Sequence, residues 1–160
     1  MADRRGRRAE GAILGFASNP RAPHAGAARL MHQNAAMPRP ELRCSVVTRF
    51  LHEQSSAADD VYAFAYTITI RNTGEVPAQV IGRHWVITHG SGKVEEVRGL
   101  GVVGQQPLLK PGEQFEYTSW TRITTPRGSM RGELLCMTDE AEPFEAIVEP
   151  FPLAIAQALH

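Results

Sequence analysis

Long apolar runs are missing from this sequence. No stretch approaches the ~20 apolar residues that a membrane-crossing helix needs, so a helical span is excluded and no membrane partner is expected. The N-terminus opens with arginines but lacks the apolar segment of about 7–15 residues that a secretory signal places behind them. Cysteine is scarce. Cys44 and Cys136 lie far apart and form no CxxC pair. Two free thiols in a reducing cytoplasm are the expectation, with a single disulfide as the alternative. Charge of one sign is lacking too, since 17 basic residues balance 17 acidic ones.

That balance conceals a division. Residues 1–40 carry seven arginines against Asp3 and Glu10, a net charge of +5, and residues 41–160 carry −5. An acidic globular part is a poor nucleic-acid binder, because phosphates call for a basic face. The leader is rich in Ala, Arg, Gly and Pro, with little periodicity. It has too little apolar surface to offset the roughly 1–2 kcal/mol per residue that backbone ordering costs. Residues 1–40 are therefore expected to form a disordered basic leader. A start codon assigned too early is the alternative, as Met31 and Met37 stand just ahead of the first strand-like segment. Residues 41–160 form the expected domain.

From Arg43 onward the apolar period is two. Val61 to Asn72 is the clearest strand: Tyr62, Phe64, Tyr66, Ile68 and Ile70 share one face, with small or polar residues on the other. Asn72-Thr73-Gly74 closes it as a turn. A strand over about Ala78 to Thr88 follows, with Ile81, Arg83, Trp85 and Ile87 on one face and Trp85 in the core. After the hairpin turn His89-Gly90-Ser91-Gly92 comes Lys93 to Arg98. This segment suits a sheet edge, where charge discourages pairing with other chains. Glu113 to Ile123, Met130 to Thr138 and Phe144 to Leu153 complete about seven strands. Leu153 to His160 is expected to form a helical turn or fray. Turns every 8–12 residues indicate an all-β sandwich of the immunoglobulin or fibronectin type III kind.

The stretch from Gly99 to Gly104 matches the GxGxxG pattern that cradles a pyrophosphate. That use needs a helix after the motif, and Pro107 and Pro111-Gly112 forbid one. The glycines are thus expected on a loop between strands. Four separated segments then agree. They are Tyr62 to Asn72, Gly82 to Thr88, Glu96 to Pro107, and the group of Pro111-Gly112-Glu113, Tyr117-Thr118-Ser119 and Thr125 to Gly132. In this order and spacing, residues 42–160 resemble the ApaG family. The resemblance implies a fibronectin type III-like sandwich and a small cytoplasmic protein. It also implies an association with cobalt resistance, magnesium efflux and diadenosine tetraphosphate metabolism, and kinship with protein-binding domains.

Two functions from different classes follow. The first is a non-enzymatic module that binds an unidentified protein partner, with Trp120 as its candidate contact, because aromatics are enriched at interface centres. The second is a sensor of a small anion or nucleotide pyrophosphate. Its binding candidates are Gly99, Gly101 and Gly104, whose N–H groups would form a nest, and the nearby cations Arg98 and Arg83. No cofactor is expected. His84 and His89, five residues apart on an extended chain, face opposite ways and make a poor metal pair. The acidic loop of Asp139, Glu140 and Glu142 lacks the spacing of a calcium loop. Ser119, His84 and Asp139 supply the residue types of a hydrolase triad, but no GxSxG elbow marks a nucleophile.

Overall fold

The computed structural model describes residues 37–155. The chain runs through β1 (Leu42–Phe50), β2 (Tyr62–Asn72), β3 (Ala78–His89), β4 (Val94–Leu100), β5 (Leu108–Leu109), β6 (Gln114–Ile123), β7 (Arg127–Thr138) and β8 (Pro143–Ala154). One sheet has the order β1-β2-β6. The other has the order β4-β3-β7-β8, with β5 added to β3. All pairings are antiparallel. This is the expected sandwich, with eight strands rather than about seven because the two-residue β5 carries too little pattern to register. Leu153 and Ala154 belong to β8, not to a frayed end. Nearly all of the expected leader, and residues 156–160, lie outside the described residues.

The inner faces of the sheets make one core. Phe64, Tyr66, Ile68 and Ile70 of β2 face Trp85 and Ile87 of β3, Leu134 and Cys136 of β7, and Val148, Phe151 and Leu153 of β8. Trp85 is 1 % exposed, and its ring lies edge-on to Tyr66 with centroids 5.9 Å apart. Gly132 opposes Trp85 across the β3–β7 ladder. A Cβ there would collide with the His84 carbonyl and come within 2.7 Å of the indole, so the glycine makes room for the tryptophan.

Two side chains lock the corners. Asn72 is buried. Its Nδ2 donates to the Val76 and Leu109 carbonyls, each at 2.8 Å, while its Oδ1 accepts from the Gly74 N–H at 2.9 Å. His89 is buried at the end of β3, where its Nδ1 accepts from the Thr124 N–H at 3.1 Å. The neutral ring therefore carries its proton on Nε2, which faces Glu95 Oε1 at 3.4 Å.

The inner face of β3 differs from the one expected. The β3–β7 register shifts between Val80 and Gly82. Ala78 and Val80 point into the core before that bulge, and Trp85 and Ile87 after it. Ile81 is the extra residue and does not join the core. A bulge inserts one residue into a strand, so the inward parity changes from even to odd.

Candidate functional site

The glycine-rich segment is not one loop. Gly99 and Leu100 extend β4, opposing Arg83 and Gly82. The expectation that Gly99 sits on a loop is thus corrected: its extended backbone continues the ladder with β3. A tight hairpin follows. Val102 and Gln105 exchange both backbone bonds, at 2.8 and 2.9 Å, around a tip of Val103 and Gly104. Both tip residues have positive φ, 45° and 75°, as a two-residue hairpin of the primed type demands. A β-branched residue is costly there. Anchoring keeps it in place: Val102 is fully buried, and Val103 packs on the core.

Each of the three glycines answers to a local constraint. At Gly99 a Cβ would stand 2.6 Å from Arg83 Nη1, because the guanidinium lies across the glycine. Gly101 has φ +67°, and a Cβ would stand 2.6 Å from the Gln105 carbonyl oxygen. Gly104 has φ +75° with open space around it. The polar groups of the segment are turned inward to a large degree. Gly101 N–H donates to the Ile81 carbonyl at 2.7 Å. Arg83 Nη1 donates to the carbonyls of Leu100 and Gly101 at 3.1 and 3.0 Å, so Arg83 clasps the segment by its oxygens.

The two candidate cations are not brought together. Arg83 shares its sheet face with Gly99. Arg98 opposes His84 on the other face, and its Nη2 lies 3.8 Å from Glu96 Oε2. Trp120 is on the outer face of the three-stranded sheet, opposite Ala65. It is half-buried rather than exposed, and the Arg122 guanidinium sits 4.8 Å from its ring centroid. Ser119 is buried between the sheets, His84 is on an outer face, and Asp139 is in the β7–β8 loop, so these three make no triad. Among the described residues no cluster of His, Cys, Asp and Glu could hold a metal ion.

The pattern of the ApaG domain matches residues 52–138. The chain belongs to the ApaG family. It is 60 % identical to Protein ApaG of Ralstonia nicotianae over 124 residues, which are 78 % of this chain and all of that one. It is 53 % identical to Protein ApaG of Pseudomonas syringae pv. tomato, over 72 % of this chain and 92 % of that one. The fold is similar to the crystal structure of the ApaA protein of Bordetella pertussis, with a TM-score of 0.72 and 53 % identity. That match covers 74 % of this chain and 97 % of the other.

Strand periodicity alone did not single out the surface that this ApaG-family domain displays most openly. On the outer face of the larger sheet, Leu100, Gly82, Leu135 and Glu145 form one cross-strand row. Arg98, His84, Glu133 and Ile147 form the next. Four of the seven exposed large hydrophobic residues among those described lie on this face: Val94, Leu100, Leu135 and Ile147. Leu135 reaches over Gly82, where a Cβ would meet its Cδ1 at 3.7 Å. Beside this apolar strip, His84 Nδ1 and Glu133 Oε1 are 2.6 Å apart, and His84 Nε2 faces Glu96 Oε2 at 3.7 Å. The signal for this face was present as apolar residues at outward parity on β4, β7 and β8. It needed the sheet order to become a patch.

Proposed function

We propose that this ApaG-family domain is a non-enzymatic protein-interaction module of the cytoplasm. Its contact surface is the outer face of the five-stranded sheet. The observation that carries this reading is the gathering of Leu100, Leu135 and Ile147 beside the His84–Glu133 pair. An apolar strip rimmed by polar side chains is the anatomy of an interaction surface, since the apolar centre gains from leaving water and the rim sets specificity. On this reading, the cobalt, magnesium and diadenosine tetraphosphate associations of the family run through the partner, not through chemistry at this domain.

The test is affinity capture from native lysate with the full chain as bait. Leu135→Glu/Ile147→Glu should abolish capture of a partner that the wild-type chain retains. Val47→Glu, at an exposed position on the opposite sheet, should leave capture unchanged. Capture lost in Trp120→Ala but kept in the Leu135/Ile147 variant would move the contact to the three-stranded sheet.

A further inference from the structure

Strand β4 is the edge of its sheet, so one side of its backbone has no strand beside it among the described residues. Two hydrogen bonds fix which residues face that open side. His89 N–H donates to the Lys93 carbonyl at 2.8 Å, and Gly101 N–H donates to the Ile81 carbonyl at 2.7 Å. Both continue the register in which Thr88 opposes Val94 and Gly82 opposes Leu100. In an antiparallel ladder, directly opposed residues alternate between exchanging both bonds and exchanging none. The odd-numbered residues of β4 therefore direct their N–H and C=O groups at β3. Val94, Glu96, Arg98 and Leu100 direct theirs at the open edge, where the Leu100 carbonyl already accepts one bond from Arg83 Nη1 and keeps its second lone pair for a partner strand.

Those four residues read apolar, acidic, basic, apolar. Rotated about a two-fold axis at Val97, the strand is its own complement: Val94 opposes Leu100 and Glu96 opposes Arg98. The two neighbouring registers fail. Centring on Glu96 sets two glutamates face to face, and centring on Arg98 sets two arginines face to face. A register offset by half a step opposes edge-facing groups with groups already turned to β3. Charge on an edge strand ordinarily discourages pairing. Here the same charges disfavour the neighbouring registers and favour one, because opposite charges across strands attract and like charges repel.

We propose that β4 pairs antiparallel with β4 of a second copy of this chain about a two-fold axis at Val97, joining the two larger sheets into one. The contact is isologous, so each favourable pair occurs twice. Leu100, at 78 % exposed, would oppose the partner's Val94, and the apolar strip from Leu135 across Gly82 to Leu100 would continue into the second copy. One short strand per copy makes a small interface, so the association is weak and reversible.

This pairing goes beyond the partner reading above and is tested on purified full chain, so its failure leaves that reading standing. Sedimentation velocity over a concentration series up to about 1 mM should show reversible dimerisation of the wild type. Glu96→Arg and Arg98→Glu should each weaken it about tenfold, since each turns two attractive pairs per dimer into repulsive ones. Glu96 and Arg98 are 56 % and 71 % exposed, so both variants should fold, as a melting curve checks. An equimolar mixture of the two single variants should dimerise again, and so should the double variant Glu96→Arg/Arg98→Glu. Oxidation should cross-link Val94→Cys to Leu100→Cys in a mixture, but not Val94→Cys to Arg98→Cys. A wild type that stays monomeric throughout, or single variants that associate as the wild type does, would overturn the proposal.

Discussion

Gly101 and Gly104 hold similar positive φ angles, yet alanine should cost more at the first. Both substitutions strain a left-handed backbone, by about 1 kcal/mol. Gly101→Ala also drives a Cβ to 2.6 Å from the Gln105 carbonyl oxygen, whereas Gly104→Ala meets nothing within 4 Å. Urea denaturation should place Gly101→Ala at least about 1 kcal/mol below Gly104→Ala, in keeping with the cost of over-packing. Equal losses would mean that the hairpin shifts freely. The same geometry bears on the anion reading. Arg83 is turned to carbonyl oxygens, and Arg98 projects from the opposite face. Millimolar pyrophosphate is therefore expected to leave the melting temperature unchanged, because a ligand stabilises only by binding the folded state. A saturable shift that vanishes in Arg98→Ala would instead make Gly99 to Gly104 the functional segment.

At the scale of elements, His89 ties the end of β3 to the β6–β7 connection and to β4. Its Nδ1 accepts from the Thr124 backbone, and its Nε2 faces Glu95. His89→Ala leaves the Thr124 N–H without its acceptor and a cavity where the buried ring stood. The expected loss is about 2–4 kcal/mol in equilibrium denaturation. A loss under about 0.5 kcal/mol, the range of a surface change, would show that the connection does not depend on the ring. Most strands here were legible from alternation, β2 above all, because its large residues keep one parity over its length. The inner face of β3 was not. Ile81 is apolar and fits the alternation, and only pairing with β7 reveals the bulge that displaces it.

For the whole molecule, the two cysteines report on how the sheets close. Cys44 of β1 and Cys136 of β7 are free. Burial pushes the Cys44 thiol up to about 11. Burial, with Cys44 and Glu145 adding to the rise, pushes Cys136 up to about 12. Both lie above the ordinary thiol value of 9.0, so the folded state holds these protons more tightly than the unfolded state. The stability they contribute is whole below about pH 9 and drains as pH rises towards 11 and 12. The wild type should therefore lose more stability than Cys44→Ala/Cys136→Ala between about pH 8 and pH 10.5. Parallel losses in the two proteins would refute the assignment. A second expectation concerns the ends. Removing residues 1–36 should leave the melting temperature within a few degrees, since their composition offers a core little apolar surface and the described residues pack a core among themselves. A large drop would show that the leader packs on the domain.

Local pattern by itself determined the sandwich class, the strand order along the chain, the burial of Trp85 and the family. Each rests on short-range information: parity along a strand, turn residues at fixed offsets, and motifs in sequence order. Tertiary structure alone decided the rest. Gly99 could be assigned to β4 only once its backbone was paired with that of Arg83 in β3. Arg83 and Arg98 were separated by the sheet between them, not by distance along the chain. Leu100, Leu135 and Ile147 come from three strands and make a surface only in the order β4-β3-β7-β8. Pairing and register place residues far apart in sequence side by side, and no local period encodes which strand lies next to which.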